Sequence, residues 1–287
     1  MANSKELMLS DSVGCPEFIQ DLLPSAEQTA LLYHLSYLCL GGFPRLESLI
    51  RERALETQML FASSGAVLLK CVSTSDNLVT YLFPMLMHAV ENNEPSVAVK
   101  HLEKARSWIH DIIKDEEDMV YRYDKHNTDV AKLTNEIIIV KYQTEKKQQQ
   151  QTGQLPNVIH LDEVLKCLSR IQMILIQLKR FLEKVGTLLD TLKDKTIAGE
   201  DYIEFLEDSK EDILESVNGA KQVWTQFSLS CMKANGIFSV QANDAYKFFE
   251  VSPSSLSKED WEKEYNHVKD KLENIKPNDR GQKVITH

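Results

Sequence analysis

Apolar residues recur every seven positions along the part of the chain that follows Pro95. One series occupies Leu102, Ile109, Glu116, Tyr123, Val130 and Ile137, and its complement occupies Ala105, Ile112, Met119, His126, Leu133 and Val140. No proline or glycine interrupts residues 96–151. A heptad seam sustained over about six repeats predicts one long helix over residues 95–151, with polar residues at two seam positions.

A second seam begins after a short polar turn that contains Gly153 and Pro156. Its two series are wholly aliphatic and comprise Leu161, Leu168, Leu175, Leu182 and Leu189 with Val164, Ile171, Leu178, Val185 and Leu192. They predict a second long helix over residues 161–195. Because the connecting turn is short, we expect the two helices to be antiparallel neighbours.

Residues 57–90 are the most apolar block of the chain. Thr57–Leu69 and Asn77–Val90 carry no charged side chain, and each run is shorter than the ~20 residues that span a bilayer. The block predicts an apolar helical hairpin. Two interpretations stay open: the hairpin is buried in the bundle, or it is a membrane-entering segment that the bundle covers.

The flanking regions complete the predicted domain organisation. Ser25 and Gln28 have the spacing of a capping box at the start of a first helix, and Ser257 begins a final amphipathic helix. Residues 1–24 are expected to be a flexible arm and residues 276–287 a disordered tail. The whole pattern predicts an all-α fold, a single elongated helical bundle over residues 25–275.

Composition narrows the class of protein. The chain has only ten glycines in 287 residues, which disfavours glycine-rich nucleotide folds. The net charge of −10 disfavours nucleic acid as a partner. Five widely spaced cysteines suit reduced thiols, and the start lacks a secretory signal. We therefore expect a cytoplasmic protein, with release or membrane association left open.

Candidate chemistry is sparse. No nucleophile motif or phosphate loop occurs, and Glu264–His267 is the single Glu-x-x-His pair. We therefore expect no enzymatic activity, no cofactor and no metal. His126 lies on the first seam, where its protonation would place a charge between packed helices, so it is a candidate pH switch. The alternative is a bundle histidine that finds a polar partner.

The architecture resembles that of the long-helix α-pore-forming toxins of the cytolysin A kind. The resemblance rests on the seams 102–140 and 161–192, the apolar block 57–90, and the helical segments around Trp224 and Trp261. It covers about residues 26–275 as architecture alone. It implies a soluble, non-enzymatic monomer that inserts into a membrane and oligomerises.

Two functions follow as expectations. The first is a membrane-active, pore-forming-like protein that hides its apolar hairpin and exposes it to lipid. Insertion would then be carried by Leu60, Phe61, Val67, Leu68, Leu69, Leu82, Phe83 and Leu86. The alternative is an intracellular coiled-coil scaffold or adaptor, whose partner is a helical protein or a second copy of the chain.

Overall fold

All regular elements in the part of the chain that the structure describes are helices. This computed structural model describes residues 22–147, 159–198, 203–243 and 246–275. Its α-helices are α1 Leu22–Leu38, α2 Pro44–Asn77, α3 Phe83–Glu91, α4 Pro95–Lys147, α5 Ile159–Ala198, α6 Ile203–Asn243 and α7 Lys258–Asn274. A π-helical turn, Leu78–Leu82, joins α2 to α3, and two 3₁₀ turns, Lys247–Glu250 and Pro253–Ser255, precede α7. The predicted all-α helical bundle is confirmed.

The described helices group into two compact units. Unit 1 contains Ser64–Val120 and Ile174–Gly236, and unit 2 contains Gln20–Ser63, Tyr121–Met173 and Ile237–His287, as far as these ranges are described. The helices α2, α4, α5 and α6 each continue from one unit into the other. Each heptad seam therefore contributes residues to both units.

Ion pairs establish the direction of α4 and α5 in unit 1. Three of them join the two helices: Glu103–Lys193 at 2.9 Å, Arg106–Asp190 at 3.0 Å and Glu117–Lys179 at 2.9 Å. Residue numbers rise along α4 as they fall along α5, so the predicted antiparallel pairing is confirmed here. The core of this unit includes the aromatic cluster of Phe181, Trp224 and Phe227, whose ring centroids lie 4.8–6.1 Å apart.

In unit 2 the chain that follows α6 packs back onto α1 and α2. The Arg51 guanidinium donates hydrogen bonds to the Tyr37 hydroxyl at 2.7 Å and to the Phe249 carbonyl at 2.8 Å. The Trp261 indole N–H donates to the Leu38 carbonyl at 2.8 Å, which holds α7 against the end of α1. These bonds satisfy polar groups that would otherwise be costly to bury.

The seam residues form the core as predicted. Every seam position whose burial is described is buried, except Val140, which is half-buried. This holds for Glu116 and His126 as well, which are 0% and 4% exposed. The heptad spacing therefore outweighs the polarity of these two side chains in setting which side of α4 faces inward.

A continuous helical run replaces the hairpin predicted over residues 57–90. From Pro44 to Glu91 the chain never reverses, and the reversal comes only after α3, where Asn93 has a φ of 54°. Pro84 does not break the run, because it lies in the first turn of α3, directly after the π turn. In that wider turn the Phe83 N–H bonds the carbonyl of Leu78.

Predicted helix ends are confirmed at one site and corrected at another. Ser257 caps α7, because its hydroxyl accepts the backbone N–H of Asp260 at 3.1 Å. Ser25 is not a cap: α1 begins at Leu22, and the Ser25 carbonyl accepts the Thr29 hydroxyl inside the helix. The predicted arm lies outside the described residues except for Leu22–Pro24, which belong to α1, and the predicted tail at 276–287 lies wholly outside them.

Candidate functional site

Most of the residues expected to enter a membrane lie in the core. Seven of the eight are at most 8% exposed, and these are Leu60, Phe61, Val67, Leu68, Leu82, Phe83 and Leu86. Leu69 is the exception, with 51% of its surface exposed. The structure therefore places the candidate set on the inner side of α2, the π turn and α3, with one member on the outer side.

The outer side of this helical run in unit 1 is nearly free of charge. Between residues 64 and 90 the exposed positions are Ala66, Leu69, Ser73, Asp76, Thr80, Tyr81, Pro84, Met85 and His88. Asp76 is the one Asp, Glu, Lys or Arg among them. We call these nine residues the charge-poor face. A helix surface in contact with water is normally charged or polar, so this face is unusual for its position.

The neighbouring helix α4 shows the ordinary behaviour. Seven of its ten exposed positions in unit 1 are charged, namely Lys100, Glu103, Lys104, Asp111, Lys114, Glu117 and Asp118. The contrast lies within one unit, so general composition does not explain it.

Exposed apolar side chains also occur on α6 in unit 1. The Ser228 hydroxyl contacts the Asp76 carboxylate at 3.1 Å, which places α6 beside α2. Leu229 and Met232, on α6, are 48% and 52% exposed. The one charged residue of the charge-poor face is thus engaged with α6, and further apolar surface lies on that helix.

Unit 2 carries a shorter stretch of the same character. On α2 the exposed positions from Leu55 to Ser63 are Leu55, Met59 and Ala62, and none is charged. Leu55 is 47% exposed and Met59 65% exposed. On the buried side, Phe61 packs against Phe238 of α6 with ring centroids 5.3 Å apart. This part of α2 therefore has exposed apolar side chains on one side and an aromatic contact in the core on the other.

His126 lies within a row of hydrogen bonds in the core of unit 2. Its Nε2 is 2.7 Å from the Thr57 hydroxyl, and its Nδ1 is 3.1 Å from a Glu56 carboxylate oxygen. The Thr57 hydroxyl also lies 3.1 Å from the Tyr33 hydroxyl. For a neutral ring these partners assign the proton to Nδ1, which donates to Glu56, while Nε2 accepts from Thr57.

The surroundings of His126 disfavour its charged form. The pKa of His126 is lowered from 6.5 to about 4, chiefly by burial and then by the nearby Arg53, while Asp129 acts in the opposite direction. At pH 7 the contact with Glu56 is therefore a hydrogen bond that the neutral imidazole donates to the carboxylate. Thr57 is fully buried, so its hydroxyl is closed to substrates. The prediction of a pH switch at His126 stays a prediction, and the expected polar partner is present.

Glu116 is the second polar residue of the seam, and it lies in unit 1. Neither of its carboxyl oxygens has a hydrogen-bond partner among the described residues. Burial raises its pKa from 4.5 to about 8, and Asp115 adds to the rise. Glu116 is therefore protonated at neutral pH, which removes the cost of an unpaired buried charge.

A shallow cavity of about 590 Å³ lies between α1 and α7 in unit 2. Its wall includes His34, which stacks on Phe248 with ring centroids 4.3 Å apart and lies 3.6 Å from Glu264. Lys271 and Glu27 also line it. Because cationic and anionic side chains are mixed along the wall, the cavity favours neither sign of ligand charge.

Neither a cluster of metal ligands nor a helix able to span a membrane is present among the described residues. No group of three or more His, Cys, Asp or Glu side chains there is arranged to hold a metal ion. Nor does any helix in the described ranges combine the length and apolar character needed to cross a membrane.

The sequence analysis did not predict the charge-poor face or the hydrogen-bond partners of His126. Plotting residues 64–88 at helical spacing would have shown that the side opposite the core also lacks charge. The partners of His126 gave no such signal, because Glu56 and Thr57 lie about 70 residues away on another helix.

Comparison with protein-family models, with curated proteins and with solved structures finds no match to this chain.

Proposed function

We propose that this protein binds membrane surfaces through the charge-poor face of unit 1. The observation that carries the proposal is the single charge among nine exposed positions on α2, the π turn and α3. Leu69, Tyr81 and Met85 are 51%, 66% and 50% exposed, so each has apolar surface left to bury. Contact with the apolar boundary of a lipid layer would remove that surface from water.

The chemistry of the face favours lipid over a charged partner. Asp76 is its one carboxylate, and it already accepts a hydrogen bond from Ser228. The face therefore offers little for an ion pair with another protein. Tyr81 suits the water–lipid boundary, where an aromatic ring meets the acyl chains and its hydroxyl stays hydrated.

The buried candidates enter this proposal as a second stage. Val67, Leu68 and Leu82 lie on the inner side of the same helical run, so docking through the outer side leaves them packed. To expose them to lipid, α2 must separate from α4, and the Lys70–Asp115 ion pair at 2.6 Å between these helices must break. Surface binding therefore precedes any insertion, and a pore-forming activity would need this opening.

Vesicle flotation tests the first stage. The full chain is mixed with zwitterionic phosphatidylcholine vesicles, because its net charge of −10 would be repelled by anionic lipid. Leu69→Glu and Met85→Glu each place a charge on the face. Each should lower the vesicle partition coefficient about five- to thirtyfold, as expected for a loss of about 1–2 kcal/mol.

Met173→Glu is the matched control. Met173 is 50% exposed, as Met85 is, but it lies on α5 in unit 2. This variant should bind vesicles as the unmodified chain does. Equal binding by all four proteins, or no flotation of the unmodified chain, would contradict the proposal. Dye release from the same vesicles reports separately on the second stage.

A helical interaction protein is the second candidate. The exposed Leu229 and Met232 on α6 favour it, because with Leu69 they offer two adjacent helices to a third. Sedimentation without lipid distinguishes the two. Concentration-dependent self-association that Leu69→Glu abolishes, together with absence of flotation, would support the scaffold function.

A further inference from the structure

The cavity between α1 and α7 in unit 2 exposes a buried amide that has no partner within the described chain. Gln241, near the end of α6, lines the cavity and is only 6% exposed, yet its side chain makes no hydrogen bond to any described residue. Its amide is not sealed by protein, in contrast to the unpaired Tyr246 hydroxyl, so a molecule in the cavity can reach it. A buried amide is costly unless a ligand or water completes its hydrogen bonds.

Two charged side chains of the same wall lack an ion-pair partner among the described residues. They are Glu27 on α1 and Lys271 on α7. Glu27 is half-buried, which raises the pKa of its carboxyl group, whereas Lys271 is exposed. The pKa of His34 is lowered to about 4, chiefly by burial and then by Lys271, so the Lys271 ammonium lies near that ring. The cavity therefore offers one unpaired carboxylate and one unpaired ammonium.

The rest of the wall is apolar and held in place. The Trp261–Leu38 hydrogen bond, at 2.8 Å, attaches α7 to the end of α1, and the Arg51–Phe249 hydrogen bond, also at 2.8 Å, anchors the neighbouring 3₁₀ turn. A preformed site has a smaller ordering cost on binding. The volume of about 590 Å³ lies within the roughly 300–1,000 Å³ of small-molecule sites. Three apolar side chains face the cavity from these elements, namely Leu31, Phe248 and Val268.

We propose that this cavity binds a small zwitterion with an ammonium group and a carboxylate on an apolar body, as free amino acids and short peptides have. Lys271 donates a hydrogen bond to the carboxylate, and the ammonium group donates one to Glu27. The Gln241 amide donates to the carboxylate or accepts from the ammonium group. The apolar body packs against the three apolar side chains. A ligand of one charge sign would leave one of the two opposite charges unpaired, so the mixed wall favours a zwitterion.

Ligand-observed NMR titration of the full chain with phenylalanine tests the proposal. Phenylpropionate is phenylalanine without its ammonium group, and phenethylamine is phenylalanine without its carboxylate. Phenylalanine should bind about five- to tenfold more tightly than either analogue, because each analogue lacks one charge-assisted hydrogen bond. The titration contains no lipid and probes unit 2, so its result is separate from that of membrane binding through the charge-poor face of unit 1.

Substitutions assign the individual contacts. Lys271→Gln should weaken phenylalanine and phenylpropionate and leave phenethylamine unchanged, whereas Glu27→Gln should weaken phenylalanine and phenethylamine and leave phenylpropionate unchanged. Gln241→Met should weaken phenylalanine. Lys269→Gln is the matched control, because Lys269 is exposed on the same helix, pairs with Glu273 at 3.8 Å and does not line the cavity. A loss confined to two of the three probes does not arise from unfolding, which would weaken all of them.

Three outcomes would overturn the proposal. The first is that phenylalanine does not bind up to its solubility limit. The second is that either analogue binds as tightly as phenylalanine. The third is that Lys271→Gln and Glu27→Gln weaken the three probes alike, or that Lys269→Gln has the same effect as Lys271→Gln.

Discussion

Replacing Glu116 with glutamine should make the protein more stable, and the gain should grow with pH. Glu116 is fully buried on α4, and its carboxyl oxygens lack hydrogen-bond partners among the described residues. Its pKa is raised from 4.5 to about 8, chiefly by burial. Glutamine has nearly the same shape, cannot ionise, and leaves the same unpaired polar atoms. The substitution therefore isolates the ionisation of this one group.

The sign follows from proton binding. Above pH 4.5 the unfolded chain loses the Glu116 proton, whereas the folded chain keeps it until about pH 8. The unfolded state therefore binds fewer protons in this window, and the free energy of unfolding falls by about 1.4 kcal/mol per pH unit. The accumulated loss is about 3 kcal/mol at pH 7 and about 5 kcal/mol above pH 8.

Urea unfolding at pH 5, 7 and 8.5, followed by far-ultraviolet circular dichroism, measures the effect. Glu116→Gln should exceed the unmodified chain by less than about 1 kcal/mol at pH 5, and by several kcal/mol at pH 8.5. Asp118→Asn, at an exposed position on the same helix, controls for the loss of a carboxyl group from α4. A difference that is equal at the three pH values would refute the reasoning about Glu116.

The remaining predictions concern acid stability, the aromatic core and a helix cap. Because the pKa of His126 is lowered to about 4, the unfolded chain takes up its proton first as pH falls below 6.5. Stability should then drop by about 1 kcal/mol at pH 5.5 and about 3 kcal/mol at pH 4, and urea unfolding of His126→Gln should lack this drop. Trp224→Ala should cost about 3–5 kcal/mol in the same assay, because its ring is 2% exposed and packs against Phe181 and Phe227. Ser257→Ala should increase amide hydrogen exchange in the first turn of α7, since the lost cap contributes about 1 kcal/mol.

The sequence predicted the elements whose pattern is periodic. Leu102, Ile109 and their heptad partners are all in the core, because a seven-residue spacing on a helix leaves one side to bury. The same spacing placed Glu116 and His126 inside despite their polarity. The physical reason is that turning α4 to expose either residue would also expose the aliphatic residues one turn away.

The apolar block was harder to interpret because its pattern is not periodic. Thr57–Leu69 carries no charged side chain on either side of α2, so the absence of charge does not indicate which side faces the core. Pro84 suggested a break, but the π turn before it allows the helix to continue. The partners of His126 arise from tertiary packing between residues far apart in the chain.

Methionine oxidation in the presence of vesicles tests the central claim most directly. Met85 lies on the charge-poor face and Met173 lies on α5, and each is 50% exposed in the free protein. If the face binds lipid, phosphatidylcholine vesicles should slow peroxide oxidation of Met85 several-fold and leave the rate at Met173 unchanged. Equal rates at Met85 with and without vesicles would contradict the account.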